Sequence, residues 1–356
     1  MGTRAAGVLA GVLVALLAAA VLSGCGRKPK RAEVTRVTLG RDTACFATKD
    51  GATRCIGTSW GLPPAHMGDQ PEPVASLAGA ERAFFLEGTG AGQLGCRIDA
   101  PKDGPRALRC TTRSGAELAL PDVGAVAWGA DAVCAVDRAA GGAVRCVVGE
   151  PSAPAITARV EPGAPANALA LCVGAAWGCA VTASREVACW GFTQGLLPQG
   201  NVGSKTAAVP GVTDATEVSC GEHHACARHA SGRVTCWGTN DAGQVGRPKE
   251  KATLTPGLVD GVEGALHVCA GHDSTCAHMQ NGLVACWGDW GAPPSTRPTI
   301  IRGVFGVSDL ACAGPLTVAV ANDYAVYAWG SDPGQRRLLP GSRAKMPVPA
   351  PLFVRK

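Results

Sequence analysis

The chain has 356 residues, among them 48 Gly and 25 Pro, and a formal net charge of +5. Gly and Pro at this density exclude a largely helical fold, because each costs a helix interior roughly 1 and 3 kcal/mol relative to Ala. Seventeen Cys in a chain with only 17% charged residues exclude the reducing cytosol as its working compartment.

The N-terminus states how the chain leaves that compartment. Arg4 precedes an uncharged run rich in Ala, Val and Leu over residues 5–24, and Cys25 follows. A positive start, an apolar stretch and small residues at the cut are the signature of an export signal. Leu22-Ser23-Gly24-Cys25 resembles a bacterial lipobox, in which cleavage before the Cys precedes its acylation. The competing reading is an uncleaved membrane-spanning helix of about 20 apolar residues. Gly24-Cys25, standing where a signal peptidase cuts, disfavours it. Residues 1–24 are therefore expected to be a lipoprotein signal peptide, and 25–33 a lipidated Cys25 with a basic tether.

Arg27, Lys28, Lys30 and Arg31 crowd into that tether, where they favour anionic headgroups. With them and Arg4 set aside, 28 basic residues face 28 acidic ones in the remainder of the chain. A nucleic-acid-binding domain carries a basic excess, so no nucleic-acid partner is expected.

From residue 34 onward the sequence repeats. A Gly stands five residues before the first Cys of a pair at Gly40, Gly129, Gly174, Gly221 and Gly271. Gly314 stands five before Ala319 in a copy without the paired Cys, which still ends Ala328-Trp329-Gly330. A degenerate copy over residues 88–110 fills the remaining gap. Seven units of about 46 residues suit small antiparallel blades of a propeller or solenoid.

The cysteines set the hairpin register. Cys45/Cys55, Cys179/Cys189, Cys226/Cys236 and Cys276/Cys286 are each ten apart. An even separation implies an odd loop, here Lys49-Asp50-Gly51, Ala183-Ser184-Arg185, Ala230-Ser231-Gly232 and Gln280-Asn281-Gly282. Three of the four end in Gly, the residue a three-residue hairpin wants at its left-handed position. Each Cys pair then faces itself across the hairpin at roughly 4.5–5.5 Å between Cα atoms, which a disulfide accepts. Cys134/Cys146 and Cys96/Cys110 repeat the device with longer loops. Zinc, the alternative, prefers Cys two to four residues apart on a knuckle. Cys172, Cys220, Cys269 and Cys312 remain. Bridges Cys172–Cys220 and Cys269–Cys312 between successive units would use them, although Cys220 lies one residue out of phase and is expected on the opposite strand face.

The best unit reads Gly221, His224, Gly232, Val234, Trp237-Gly238, Asn240 and Gly243-Gln244-Val245-Gly246. Val187, Trp190-Gly191 and Val284, Trp287-Gly288 repeat its core, and Gly334-Gln335 preserves a fragment. This pattern resembles the regulator-of-chromosome-condensation repeat. The resemblance runs over residues 34–356, stronger after about residue 170 and weaker in the second and third units; paired Cys in place of apolar residues is its departure. It implies an all-β fold, a seven-bladed β-propeller of short antiparallel blades, here with many intrablade disulfides. It also implies a protein-interaction module. Some members exchange nucleotide on a nuclear GTPase and others inhibit β-lactamases outside bacterial cells; a lipid-anchored product would not meet the former. Segments 71–74, 256–259 and 298–301 follow a Pro-x-x-Val-like pattern between units, and residues 351–354 end the chain with another. That last segment is expected to supply a strand that the first blade lacks, closing the ring.

Among candidate sites, His223, His224, His229, His272 and His278 crowd into the fifth and sixth units. His224 occupies the family's repeated His position and the others do not recur, so structural or surface roles are expected and no metal. Trp190, Trp237, Trp287 and Trp329 follow the strand pattern and are expected to pack the blades. Trp60, Phe192 and Trp290 follow the Gly of their units, and with Asp241, Asp289 and Asp332 they form a candidate binding rim on one face. The opposing reading fills inward aromatic positions with those three rings. No nucleophile–base pair or paired carboxylates appear, and the Gly-rich residues 88–95 do not match a nucleotide fingerprint. The expected protein is a monomeric binding module of the bacterial cell envelope, not an enzyme and without a cofactor, tethered to the outer rather than the inner membrane, its folded domain in the periplasm or at the surface. Its partner would be a protein or an envelope polymer; an envelope structural or carbohydrate-contacting protein, or an enzyme at the propeller channel, is the alternative.

Replacing Cys25 with Ser is expected to abolish acylation and leave the precursor uncleaved or released. Mass spectrometry of the mature N-terminus checks this; a start anywhere but a modified Cys25 refutes the lipoprotein reading.

Overall fold

In the fifth unit, His229 N–H donates to the Arg233 carbonyl and Gly232 N–H returns to the His229 carbonyl, both at 2.9 Å. Ala230-Ser231-Gly232 is thereby a three-residue loop, with Gly232 at φ +77. The same pair of bonds closes Lys49-Asp50-Gly51, Ala183-Ser184-Arg185, Gln280-Asn281-Gly282 and, in the seventh unit, Asn322-Asp323-Tyr324. Arg185 and Tyr324 hold the left-handed seat without glycine, at φ 65 and 63, a strain of about 1–2 kcal/mol each.

These hairpins bring the cysteines face to face. Cys45↔Cys55, Cys96↔Cys110, Cys134↔Cys146, Cys179↔Cys189, Cys226↔Cys236 and Cys276↔Cys286 are direct cross-strand partners. All six pairs are disulfide-bonded, with Cα atoms 4.0–4.1 Å apart.

The computed structural model describes residues 31–57, 71–87, 93–112, 114–129, 132–148, 156–248, 253–332 and 346–352. They form seven four-stranded antiparallel sheets, each with its strands in sequence order. The innermost strands are Val34–Leu39, Arg82–Glu87, Val123–Trp128, Ala170–Val173, Ala215–Cys220, Ala265–Ala270 and Val307–Ala313, and they line a central channel. The fold is a seven-bladed all-β propeller.

Alternation along each strand gives every blade two different faces. In blades one to six one face carries the disulfide and looks toward the next blade; in blades four to seven the other carries the Trp of Trp-Gly and looks back. Cys226, Val234 and Cys236 of the fifth blade thus pack with Val268, Ala277 and Trp287 of the sixth. Cys179 and Cys189 of the fourth meet Ala225, Ala227 and Trp237 of the fifth. Trp190, Trp237, Trp287 and Trp329 are all at most 3% exposed. In the seventh blade the Gly falls one residue later in a turn of the same length, so Val318↔Ala328, not a pair built on Ala319, takes the disulfide position and packs against Ala44, Phe46 and Ile56 of the first blade.

The same geometry explains the remaining cysteines. Cys172–Cys220 and Cys269–Cys312 are bonded, joining blade four to five and six to seven, with Cα atoms 5.3 and 5.6 Å apart. The one-residue phase offset of Cys220, which the sequence presents as an obstacle, is what the bridge requires. Neighbouring blades meet by opposite faces, so a side chain pointing forward must find one pointing back. Cys312 has the same offset because it stands one residue further along its inner strand than Cys269, pairing with Thr317 across its hairpin whereas Cys269 pairs with Cys276.

Closure by strand exchange is overturned. Met346–Leu352 pairs with Val326–Gly330 as the outer strand of its own blade, and the first blade has its own outer strand, Glu72–Pro73. The ring closes at an ordinary packed seam. Buried Asp309 of the seventh blade accepts from Val37 N–H at 2.8 Å and pairs with Arg82 of the second at 2.8 Å. Arg31 donates to the Tyr324 carbonyl at 3.0 Å.

The fifth and sixth blades are clasped by the repeat's polar residues. Thr275 Oγ1 donates to the Gln244 carbonyl at 2.8 Å, which uses its single proton. His224 Nε2, 2.8 Å from the same oxygen, must therefore be the donor. That leaves Nδ1 of this fully buried ring without a partner among the described residues. Burial pushes the His224 imidazole down to about 3 from its ordinary 6.5, and the charges of His223 and His272 add to the shift. The unfolded chain thus takes up this proton where the folded one does not, so His224 makes stability rise with pH between about 3 and 6.5. Its contribution is expected to fall by about 2 kcal/mol from pH 7 to pH 5. His224→Gln keeps an N–H for Thr275 and removes the titration. Urea unfolding at both pH values should show the gap between wild type and variant shifting by that amount; a gap independent of pH refutes the assignment.

Candidate functional site

Two sets of loops share one face of the disc. The turn after each inner strand and the loop after each third strand lie together, because the third strand runs parallel to the first. Backbone bonds join them: Phe192 N–H to the Ala176 carbonyl, Thr239 to His223, Asp289 to Asp273 and Ser331 to Pro315, at 2.8–3.1 Å. The Gly of Trp-Gly permits this contact. Gly288 holds φ +79, and a Cβ there would lie 2.3 Å from the Asp273 carbonyl oxygen.

At the centre of this face the repeated glycines ring the channel mouth. A Cβ on Gly221 would meet the Gly271 carbonyl at 2.5 Å, and one on Gly271 would meet that of Gly314 at 2.5 Å. Neighbouring turns instead bond directly, His272 N–H donating to the Gly314 carbonyl at 2.7 Å. The mouth opens as a recess of ≈ 530 Å³. Residues just after the ring glycines stand on its wall, including Arg41, Glu222, His272 and Pro315.

The mouth carries a connected set of charges. Glu222 reaches His272 Nε2 at 2.8 Å, while His272 Nδ1 contacts Asp273 at 2.7 Å. His223 lies 3.8 Å from Glu222, and Gln244 donates to Asp273 at 3.2 Å. Deeper in the channel, His267 Nε2 lies 3.2 Å from the Leu310 carbonyl, an acceptor only, and Nδ1 contacts Glu217. With Nε2 donating, Nδ1 attracts that carboxylate best when protonated. Burial alone would push His267 down, but Glu217 overrides it and holds the imidazole above its ordinary range. Burial likewise opposes ionisation of Glu217, yet His267 and Arg228 hold its carboxyl below the usual range.

The sequence-derived candidates separate on this frame. Of the five histidines only His223 and His272 come together, their ring centroids 6.4 Å apart. His224 is in the seam, His278 is buried in its strand, and His229 contacts Asp214 and Thr235 by the opposite face. The rim set divides also. Phe192 is 57% exposed, whereas Trp290 is 7% exposed and packs against Trp329, Leu310 and Val307 of the next blade. The two rings are not equivalent: Phe192 follows its Trp-Gly directly and Trp290 comes one residue later. Trp290 shares its position with buried Thr193, Asn240 and Asp332. There Asn240 holds the loop by accepting from Val245 N–H and donating to Arg247 and Pro248 carbonyls. Trp290 is thus corrected from rim to seam, and Asp332 is buried instead of standing on the rim. Asp289 is half-buried and Asp241 exposed on the same face. Trp60 and Cys25 lie outside the described residues.

The mouth residues Glu222, Asp273 and Arg41 were missed, although a signal existed: each sits one or two positions after a repeated Gly. Among the described residues one group of three ligand-type side chains lies within metal-binding reach, Cys172, Cys179 and Cys220, and all three are in disulfides. No described helix is long and apolar enough to cross a membrane.

Residues 215–244 and 231–278 match models of the regulator of chromosome condensation (RCC1) repeat. No curated protein matches the sequence. Solved structures share the architecture. Prp20p of Saccharomyces cerevisiae is 16% identical with a TM-score of 0.64, over 90% of this chain and 87% of that one. Human WBSCR16 is 15% identical with a TM-score of 0.52, over 92% and 83%. The ectodomain of a Physcomitrella patens receptor kinase is 21% identical with a TM-score of 0.51, over 83% and 72%. At these identities the likeness is one of fold. The chain is thus a seven-bladed propeller in which residues 215–278 match the regulator of chromosome condensation (RCC1) repeat.

Proposed function

We propose that the protein is an exported propeller held to a membrane through a lipid on Cys25, binding a protein partner through the face that carries the ring glycines. One observation carries this reading: the direction in which the chain enters the disc. Ala32 and Val34 begin the first inner strand at the end away from the channel mouth just described, and Arg31 bonds there to the hairpin loop of the seventh blade. Cys25 precedes Arg31 by six residues, which span at most about 20 Å. A lipid on Cys25 therefore draws the hairpin face toward the membrane and leaves the opposite face outward.

The outward face has the features of a recognition surface. Phe192 projects from it, and a recess at its centre is walled by Glu222 and His272 with Asp273, Asp241 and Asp289 on the surrounding loops. Among the described residues of the mouth, carboxylates outnumber the one guanidinium, Arg41, so a partner segment carrying Lys or Arg fits it. Prp20p, which shares the architecture, has binding properties to Gsp1p and histones, an instance of such a ring serving as a protein-binding scaffold. An envelope polymer is the second occupant of this reading, and the assay below distinguishes it by the nature of what is captured.

The test is capture from an envelope extract by the disulfide-intact domain without its lipid. Phe192→Ala is expected to weaken capture about tenfold or more, as loss of an aromatic anchor does, with an unchanged melting temperature. Trp290→Ala should instead lower the melting temperature, since removing a packed Trp costs about 3–5 kcal/mol. Phe305, 67% exposed beside the seventh hairpin on the other face, is the control. Loss of capture with Phe305→Ser but not with Phe192→Ala would overturn the assignment of the face.

A further inference from the structure

The eight disulfides are not equivalent. The twelve hairpin cysteines face the seams between blades and are at most 5% exposed. The two interblade bridges belong to inner strands, and one sulfur-bearing residue of each, Cys220 and Cys312, is half-buried on the wall of the channel mouth. Their partners Cys172 and Cys269 border the channel below the mouth but are buried, 7% and 6% exposed. Each partner also stands directly across its hairpin from a member of a second disulfide. Cys172 faces Cys179, which is bonded to Cys189, and Cys269 faces Cys276, which is bonded to Cys286. The sulfurs of Cys172, Cys179 and Cys220 lie within 4.8 Å of one another.

We infer that the channel mouth is a thiol–disulfide exchange site, with Cys220 and Cys312 as the sulfurs attacked, for a low-molecular-weight thiol. The ≈ 530 Å³ recess falls within the range of small-molecule sites and bars a folded domain. The incoming thiolate attacks Cys220 Sγ and forms a mixed disulfide with it. The Cys172–Cys220 bond breaks, and its electron pair leaves on Cys172 as a thiolate. That thiolate has two fates. It attacks the mixed disulfide at Cys220, restoring the bridge and expelling the original thiolate. Alternatively it attacks Cys179 Sγ, forming a Cys172–Cys179 bond and releasing Cys189 as the thiolate. In the second path the open position has moved from the channel wall into the seam between blades, and the small thiol stays on Cys220. No outside oxidant enters, because the protein's disulfides are themselves the electron acceptors. Cys312, Cys269, Cys276 and Cys286 repeat the pairing one seam pair further round, while the close approach of three sulfurs belongs, among the described residues, to the Cys220 site.

Two properties make these bridges the site instead of the hairpin pairs. Attack requires access to the sulfur, and among the bonded cysteines Cys220 and Cys312 alone are half-buried and stand on the mouth wall, each with a buried leaving partner. Opening an interblade bridge by itself leaves the hairpin disulfides and the seam packing in place, and the transfer only replaces Cys179–Cys189 with Cys172–Cys179 inside the same blade, so the ring survives the reaction.

The experiment exposes the folded, full chain to reduced glutathione without denaturant, quenches with iodoacetamide and maps peptides under non-reducing conditions. Glutathione adducts are expected at Cys220 and Cys312 at least about tenfold faster than at any of the twelve hairpin cysteines. A Cys172–Cys179 linked peptide together with alkylated Cys189 marks the transfer. In the double variant Cys179→Ser, Cys189→Ser the acceptor is gone, so the Cys220 adduct should instead accompany alkylated Cys172; its melting curve confirms that the ring is folded. Opening of all eight disulfides in parallel, or no adduct before denaturant is added, overturns the site. Alkylated Cys172 at equal levels in wild type and double variant overturns the transfer.

Discussion

Every blade of this ring depends on a rule about faces. A sheet in a propeller is buried on both sides, yet its two sides meet different neighbours. Here the division is chemical: small sulfur pairs on the forward face, large rings on the backward one. Where Cys226 and Cys236 meet Trp287, a flat indole fits against a hairpin that the disulfide has drawn to a Cα separation of 4.1 Å. The chain has only 4% aromatic residues, so the seams are filled largely by Ala, Val and Cys, with one ring each at the positions of Trp190, Trp237, Trp287 and Trp329. Where Cys is absent in the seventh blade, Val318 and Ala328 take its place and Ile56 of the first blade takes that of Trp. The seam tolerates the exchange because the volume remains apolar and about the right size.

That rule also decides what the sequence could reveal. The hairpin pairs were legible because a ten-residue spacing and a Gly at the left-handed seat fix register locally, with no knowledge of the neighbours. The repeat count was legible for the same reason: a Gly stands five residues before the first Cys of five pairs, and Trp-Gly closes the third strand of the last four units. Facts that depend on how two blades meet were misread. Cys220 looked out of phase because in-phase positions share a strand face, whereas neighbouring blades meet by opposite faces. Trp290 looked equivalent to Phe192 because both follow Trp-Gly, but one residue of offset turns a side chain from rim to seam. Closure was assigned to the last strand because an end-to-end exchange would hide both edges. The structure shows that packing of Val318 and Val326 on Val37 and Phe46, with Asp309 on Val37 N–H, already closes the ring.

The polar residues divide along the same geometry. His224, Asn240 and Gln244 are buried, and each is spent on holding a loop or a seam, with Thr275 tying two of them together. Glu222, His272 and Asp273 lie only a few residues from ring glycines, yet they face the mouth and bind one another. Sequence alone presents both sets as a crowd of histidines and carboxylates in the fifth and sixth units. Burial separates them. A His with its proton fixed by Thr275 and an empty Nδ1 in an apolar seam is part of the scaffold; a His between two half-exposed carboxylates is part of a surface.

The distribution of disulfides then bears on how rigid that surface is. A hairpin disulfide closes a loop of only 10 to 14 residues, so the chain entropy it removes from the unfolded state is near the low end for such bonds. The interblade bridges close 48 and 43 residues and restrain whole blades. Both sit on inner strands near the mouth, where the ring is narrowest and where a small rotation of one blade would move the turns that bear Glu222 and His272. Covalent links at that radius hold the charged mouth to a fixed outline while leaving the outer strands, such as Thr253–Leu258 and Ser295–Ile300, to ordinary backbone pairing. The place where the ring is most tightly tied is therefore the place where it offers its recess, and the sulfurs that do the tying form part of the recess wall.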